Sequence, residues 1–236
     1  KTRRDLALPC EYGAVTADDM LTVSDTGRLY LDFESFTIPP QVMIYELRTG
    51  LLSLACGNAD PAEDVAVEQH FLPARDGKRI LVYLVRPGDL APNPETPAMM
   101  YGYGGYSVSS MPTFKNPVTE HTVVDWVRKG RIYAHCILRG GGEYGTAWHE
   151  DGMKARKKNA FTDYIDIARW LAAQGWTSPE RLIATGLSNG GLLVTASATL
   201  QPDAFGCVIA SVPHTDMIRF REDDQGSMYV TEYGDP

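Results

Sequence analysis

The chain has 236 residues, 44 % of them apolar, enough for one large or two modest domains with a sizeable core. A formal net charge of -8 disfavours nucleic acid and anionic membranes as partners, because both attract basic surfaces. No run approaches the ~20 apolar residues that span a bilayer, and no apolar stretch follows Lys1-Thr2-Arg3-Arg4-Asp5 as it would in a signal peptide. Cys10, Cys56, Cys136 and Cys207 are scattered without a CxxC pair, so free thiols are expected, two of them (Cys136, Cys207) inside apolar strands, rather than a zinc site or disulfide framework. A reducing, cytoplasmic setting fits them best.

In chain order, residues 1–65 read as β structure. Leu21–Ser24, Arg28–Phe36, Gln41–Leu47 and Leu51–Ala55 are short runs rich in β-branched or aromatic residues, punctuated by Asp25-Thr26-Gly27, Pro39-Pro40 and Thr49-Gly50. They predict an antiparallel meander. Val65–Pro73 and Arg79–Arg86 predict a hairpin closed by Arg75-Asp76-Gly77-Lys78, with Asp-Gly as the turn signal. From Ala98 the grammar changes to strands alternating with helices. Strands are predicted over Ala98–Tyr101, Ile132–Leu138, Arg181–Thr185 and Cys207–Val212, and helices over Val118–Lys129, Phe161–Gln174 and Asn189–Leu200. Continuously apolar strands between helices predict a parallel sheet covered on both faces. The fold class expected is therefore α/β, preceded by antiparallel strands, with the second unit over residues 66–236.

The chemistry concentrates in Gly186-Leu187-Ser188-Asn189-Gly190, between a predicted strand and a predicted helix. The GxSxG pattern carries weight only in that context. Its turn is so tight that the residues two before and two after the serine must lack side chains. The hydroxyl then stands clear at a helix N-terminus, where the helix dipole favours developing negative charge. Ser188 is the candidate nucleophile, and the Asn189 N–H is a candidate oxyanion donor. Tyr101-Gly102-Tyr103-Gly104-Gly105-Tyr106 follows the strand at Ala98. A glycine-rich loop at this place supplies the other oxyanion donor in α/β-hydrolases, and a phenol, protonated at neutral pH, can donate there. A glycine-rich hairpin with packed tyrosines is the alternative. Arg139-Gly140-Gly141-Gly142-Glu143-Tyr144-Gly145 lacks the Gly-Lys-Ser/Thr ending of a phosphate loop, so a structural loop beside the site is expected. The pair Trp148-His149 behind it is assigned a structural role.

Tyr101–Tyr106, Arg139–Gly145 with Trp148-His149, Thr177–Leu182, Ser188–Leu193 and Phe205–Ala210 together resemble the prolyl oligopeptidase family of serine peptidases. The resemblance covers at least residues 70–236 and implies an α/β-hydrolase domain preceded by a β-propeller, with residues 1–65, including Phe36-Thr37-Ile38-Pro39, as the propeller's end. It implies Ser188 as nucleophile and the Asn189 N–H and Tyr103 hydroxyl as oxyanion donors. Tyr106 and Tyr233 match positions lining the pocket for the residue before the scissile bond. Tyr229 stands where proline-specific members carry a tryptophan, and His214 where they carry a small apolar residue; both departures bear on strict post-proline specificity.

The resemblance implies short peptides as substrates, cleaved through an acyl-enzyme after proline, with no metal and no cofactor. Cleavage after Arg or Lys, as in oligopeptidase B, is the alternative that the acids of Arg221-Glu222-Asp223-Asp224 raise. A non-catalytic binding protein on the same fold is another. The family's Asp and His follow the serine at a distance, and only His214 follows Ser188 here, with Asp216, Asp223 and Asp224 as nearby acids. The expectation is that the triad's Asp and His lie beyond Pro236, that the chain also begins partway through a longer protein, and that the remainder of the parent chain completes both domains. These 236 residues alone are then expected to be inactive.

Overall fold

A computed structural model describes residues 6–16, 27–57, 60–222 and 226–235. The strand expected at Leu21–Ser24 and the acids Asp223 and Asp224 lie outside those residues.

Two sheets form. The first contains β1 (Gly13–Thr16), β2 (Arg28–Ser35), β3 (Gln41–Glu46) and β4 (Leu52–Cys56), antiparallel in chain order. β2, β3 and β4 match the predicted antiparallel strands, whereas β1 falls where no strand is predicted. Along β2 and β3 buried residues alternate with partly exposed ones, so that Leu31, Phe33 and Met43 join Ile38 in a small core.

The second sheet has the order β10-β9-β7-β8-β6-β5. The hairpin β5 (Val65–Pro73) and β6 (Arg79–Pro87) is antiparallel and joins β8 (Ile132–Ile137) antiparallel. From β8 onward β7 (Ala98–Gly102), β9 (Leu182–Leu187) and β10 (Cys207–Ser211) run parallel. Every residue of β7 and β8 is buried. That continuous burial is why these strands read as unbroken apolar runs. β10 forms an edge, so Cys207 is exposed although it lies in a strand, whereas Cys136 in β8 is buried.

The helices are α1 (Val123–Val127), α2 (Thr146–Glu150), α3 (Lys158–Ala173), α4 (Asn189–Leu200) and α5 (Gly226–Tyr233). α1 is much shorter than the periodicity over Val118–Lys129 predicts. The Asn116 carboxamide oxygen takes the N–H groups of Val118 and Thr119, both at 2.9 Å, and Glu120 has φ +57°. The turn is thereby committed before the helix starts, and Thr122 caps it by accepting from the Asp125 N–H at 3.0 Å. α2 and α5 are too short, and α5 too mixed in polarity, to stand out in the sequence.

The two sheets share a core. Phe36, directly after β2, is fully buried among Val65, Val85, Met99, Tyr101, Val124 and Tyr133 of the α/β layer. The Glu34 carboxylate accepts from the Phe114 N–H at 2.8 Å across the same junction. His135 lies there too, fully buried, with Phe36 and Tyr101 rings 5.3 and 5.4 Å away. A neutral ring satisfies the site. Nδ1 accepts from the Tyr133 hydroxyl at 3.4 Å, and Nε2–H donates to the Ser110 carbonyl at 3.1 Å.

Burial pushes the His135 imidazole down from 6.5 to about 4. The unfolded chain therefore binds this proton first as pH falls. The stability His135 contributes is complete above pH 6.5 and is lost between there and about pH 4. The full gap corresponds to about 3 kcal/mol. Urea unfolding as a function of pH should show that loss, and His135→Phe should flatten this part of the curve. An unchanged slope would remove His135 from the acid response.

Candidate active site

Ser188 occupies the turn between β9 and α4 with φ +55° and ψ -115°, a region disfavoured for any residue bearing a Cβ. Two backbone hydrogen bonds hold it there. The Ser188 N–H donates to the Ser211 carbonyl of β10 at 2.9 Å, and the Ser188 carbonyl accepts the Leu192 N–H at 3.1 Å. The glycines at either side are sterically required. A Cβ at Gly186 would overlap the carbonyl of Gly190, and one at Gly190 would lie 2.6 Å from the carbonyl oxygen of Gly102. The sequence pattern thus has a direct geometric cause. It brings β7, β9 and α4 close enough to place Ser188, half-buried, beside the loop after β7.

Asn189 is the first residue of α4, so its N–H has no intrahelical partner. Its side chain is fully buried and bridges two parts of the site. Nδ2 donates to the Tyr103 carbonyl at 2.6 Å, and Oδ1 accepts from the Tyr233 hydroxyl at 3.1 Å. In the sequence only the backbone N–H of Asn189 stands out. The carboxamide has a second task, to tie the β7 loop to the nucleophile turn.

The Tyr103 hydroxyl interacts with Ser188. Burial raises its pKa, Ser188 opposes that, and the negative charge of Glu232 adds to it. The phenol is therefore a donor across the neutral and mildly alkaline range.

The residues expected to line the pocket form a connected row of rings. Tyr106 meets Tyr233 edge-on at 5.7 Å, Tyr233 meets Tyr229 at 6.3 Å, and Tyr229 packs on His214 at 4.4 Å. Phe220, which the sequence does not single out, touches both Tyr229 and Tyr233. Tyr229 and Phe220 are buried, while Tyr106, Tyr233 and His214 are partly exposed. Tyr106 has φ +55°, and among the described residues its buried hydroxyl meets Tyr233 without a hydrogen bond of normal geometry. His214 and Phe220 also line a cavity of about 410 Å³ with Asp216, Arg219 and Glu222. Asp216 is turned back on Arg219, 2.7 Å from its Nε.

The chain's five histidines are all placed among the described residues. His70 pairs with Glu68 and packs on Trp170, and His135 is sealed in the core. His149 contacts Glu232, and His121 is exposed ahead of α1. His214, the one histidine after Ser188, packs on Tyr229. Among the described residues none of them is hydrogen-bonded to Ser188.

Residues 103–236 match the family model of the prolyl oligopeptidase family, Peptidase_S9. A prolyl oligopeptidase of Omphalotus olearius is 34 % identical over 99 % of this chain and 32 % of its own length. A post-proline cleaving enzyme from Rickettsia typhi superimposes with a TM-score of 0.82 at 30 % identity, over 98 % of this chain and 33 % of that one. Prolyl oligopeptidase B from Galerina marginata, bound to a 35mer hydrolysis and macrocyclization substrate, gives 0.80 at 28 % identity, over 89 % of this chain and 30 % of that one. The chain thus spans about a third of the length of the relatives it matches. By the match of residues 103–236 to the family model and by these relatives, the chain, with its strained serine turn, belongs to the prolyl oligopeptidase family.

Proposed function

We propose that the chain carries the nucleophile and oxyanion half of a serine peptidase that cleaves short peptides after proline. The observation that carries this is Ser188 held at φ +55° at the head of α4, with the Tyr103 hydroxyl interacting with it. In that arrangement Ser188 Oγ attacks the scissile carbonyl carbon and loses its proton to a base. The Asn189 N–H and Tyr103 hydroxyl donate to the oxyanion of the tetrahedral intermediate. The C–N bond then breaks, the amine leaves with a proton, and water releases the acyl group from Ser188. The base and its orienting carboxylate belong to parts of the full-length protein other than these residues. Support comes from the five histidines, each engaged elsewhere or exposed, none of them hydrogen-bonded to Ser188 among the described residues. On this reading residues 1–65 are the end of a propeller and residues 66–236 part of the catalytic domain.

The pocket favours a flat apolar side chain before the scissile bond. Tyr106 and Tyr233 supply ring edges and faces, backed by Phe220 and Tyr229. Glu232, the buried acid next to them, is already engaged by Lys157 and His149. One observation favours a second reading, cleavage after Arg or Lys: Asp216 and Glu222 line the cavity on which His214 borders. Matched peptide amides with Pro or Arg before the scissile bond separate the two in the full-length protein. Proline should be preferred in kcat/KM by about 10–200-fold, since a mismatched pocket costs about 1–3 kcal/mol. A preference for arginine would assign the pocket to the second reading.

A further inference from the structure

Outside the nucleophile turn lies a buried cluster that takes no direct part in the reaction at Ser188. Lys157, just before α3, is 8 % exposed, and Glu232, in α5, is 2 % exposed. Lys157 Nζ donates to Glu232 Oε1 at 2.8 Å, and Glu232 Oε2 contacts His149 Nε2 of α2 at 2.8 Å. The same ammonium donates to the Gly104 carbonyl at 2.9 Å. Gly104 follows Tyr103, whose own carbonyl accepts from Asn189 Nδ2 at 2.6 Å. Asn189 in turn accepts from Tyr233, the chain neighbour of Glu232, and the Lys157 ammonium lies 5.4 Å from the centre of the Tyr233 ring. The contacts close into a ring that runs from Tyr103 through Asn189, Tyr233, Glu232 and Lys157 to Gly104. Two successive carbonyls of the oxyanion loop are thereby pinned, one by α4 and one by the head of α3.

We infer that Lys157 is a positioning residue for the oxyanion donor: through its bond to the Gly104 carbonyl, and with Glu232 and His149 as its anchor, it fixes where the Tyr103 hydroxyl stands relative to Ser188. The geometry supports this over a purely structural ion pair. An ion pair needs only Glu232, whereas Lys157 divides its donors between Glu232 and the one loop whose placement the chemistry depends on. The inference rests on the peptidase reading and on Tyr103 as donor.

The test uses the full-length protein and the proline peptide amide, with kcat, KM and thermal unfolding measured on each variant. Lys157→Met alone leaves Glu232 buried without its cation and can unfold the protein. The informative variant is therefore Lys157→Met with Glu232→Gln, which removes both charges and also the field of Glu232 on Tyr103. It should fold, and kcat should fall about tenfold to a hundredfold at unchanged KM, because misplacing a donor by about 1 Å costs that much. Lys157→Arg, which keeps a donor, should recover part of the loss. Placed in a Tyr103→Phe background, the same double change should have no further effect on kcat, since it acts through the hydroxyl that is gone. Unchanged kcat in the folded double variant overturns the inference, and so does an equal fall in both backgrounds. If Tyr103→Phe itself leaves kcat unchanged, the oxyanion reading fails and takes the inference with it, a result separate from either of the others.

Discussion

Arg139→Ala should destabilise the full-length protein by about 3–5 kcal/mol, the usual cost of removing one partner from a buried ion pair. Arg139 follows β8 and is 2 % exposed. Its Nε and Nη2 grip the two oxygens of Asp163 at 2.7 and 2.6 Å, and its Nη1 reaches Asp76 in the hairpin turn at 2.6 Å. One guanidinium thus joins the end of β8, the middle of α3 and the β5–β6 turn. Burial lifts the Asp163 carboxyl above its ordinary pKa even with Arg139 on it. Without Arg139 the carboxylate would either stay charged in a site nearly without water or take up a proton. Proton uptake caps the penalty, so the loss against wild type should be smaller at pH 5 than at pH 8. Arg139→Met with Asp163→Leu should recover most of the stability, because an apolar pair of similar volume needs no charge compensation. Denaturant unfolding of the three proteins at the two pH values checks both statements. A loss below about 1 kcal/mol in Arg139→Ala would mean that water reaches the site.

Tyr103→Phe should lower kcat by about 10²–10³-fold with little change in KM, a loss of about 2.7–4 kcal/mol that falls on the transition state. The reason is the timing of the charge. The ground-state carbonyl needs little from the phenol, whereas the tetrahedral oxyanion needs a fixed donor. Burial keeps the Tyr103 proton in place, so the effect should persist at mildly alkaline pH. Steady-state kinetics on a proline peptide amide at two pH values would measure it. A rate equal to wild type would leave Asn189 as the sole donor from this chain.

The nucleophile was legible in the sequence because its geometry is written in residues that have no substitutes. Gly186 and Gly190 are glycines since backbone stands where their side chains would go, and that rule acts over five consecutive positions. The limits of β5 and α4 were equally clear, since period and flanking turn residues agree there. α1 is shorter than the apolar period through Val118 predicts because a local turn, in which the Asn116 carboxamide takes the Val118 and Thr119 N–H groups, delays its start to Val123. α5 was missed for want of a periodic apolar face, although Tyr229 and Tyr233 within it were marked by their match to the family. The Lys157 cluster was invisible for another reason. Lys154, Arg156, Lys157 and Lys158 stand close together in the chain, yet only Lys157 turns inward, and its partners lie 75 positions away at Glu232 and on the loop after β7. Charge alone does not tell a buried cation from its exposed neighbours.

The central claim is that Ser188 is an activated nucleophile once the whole protein is assembled. Treating the full-length protein with a fluorophosphonate and mapping the adduct by peptide mass spectrometry tests it most directly, because phosphonylation requires a serine with a base beside it. The account predicts one adduct, on the peptide that contains Ser188, and none in Ser188→Ala. A folded full-length protein that leaves Ser188 unlabelled, or a Ser188→Ala variant that labels as well as wild type, would contradict it.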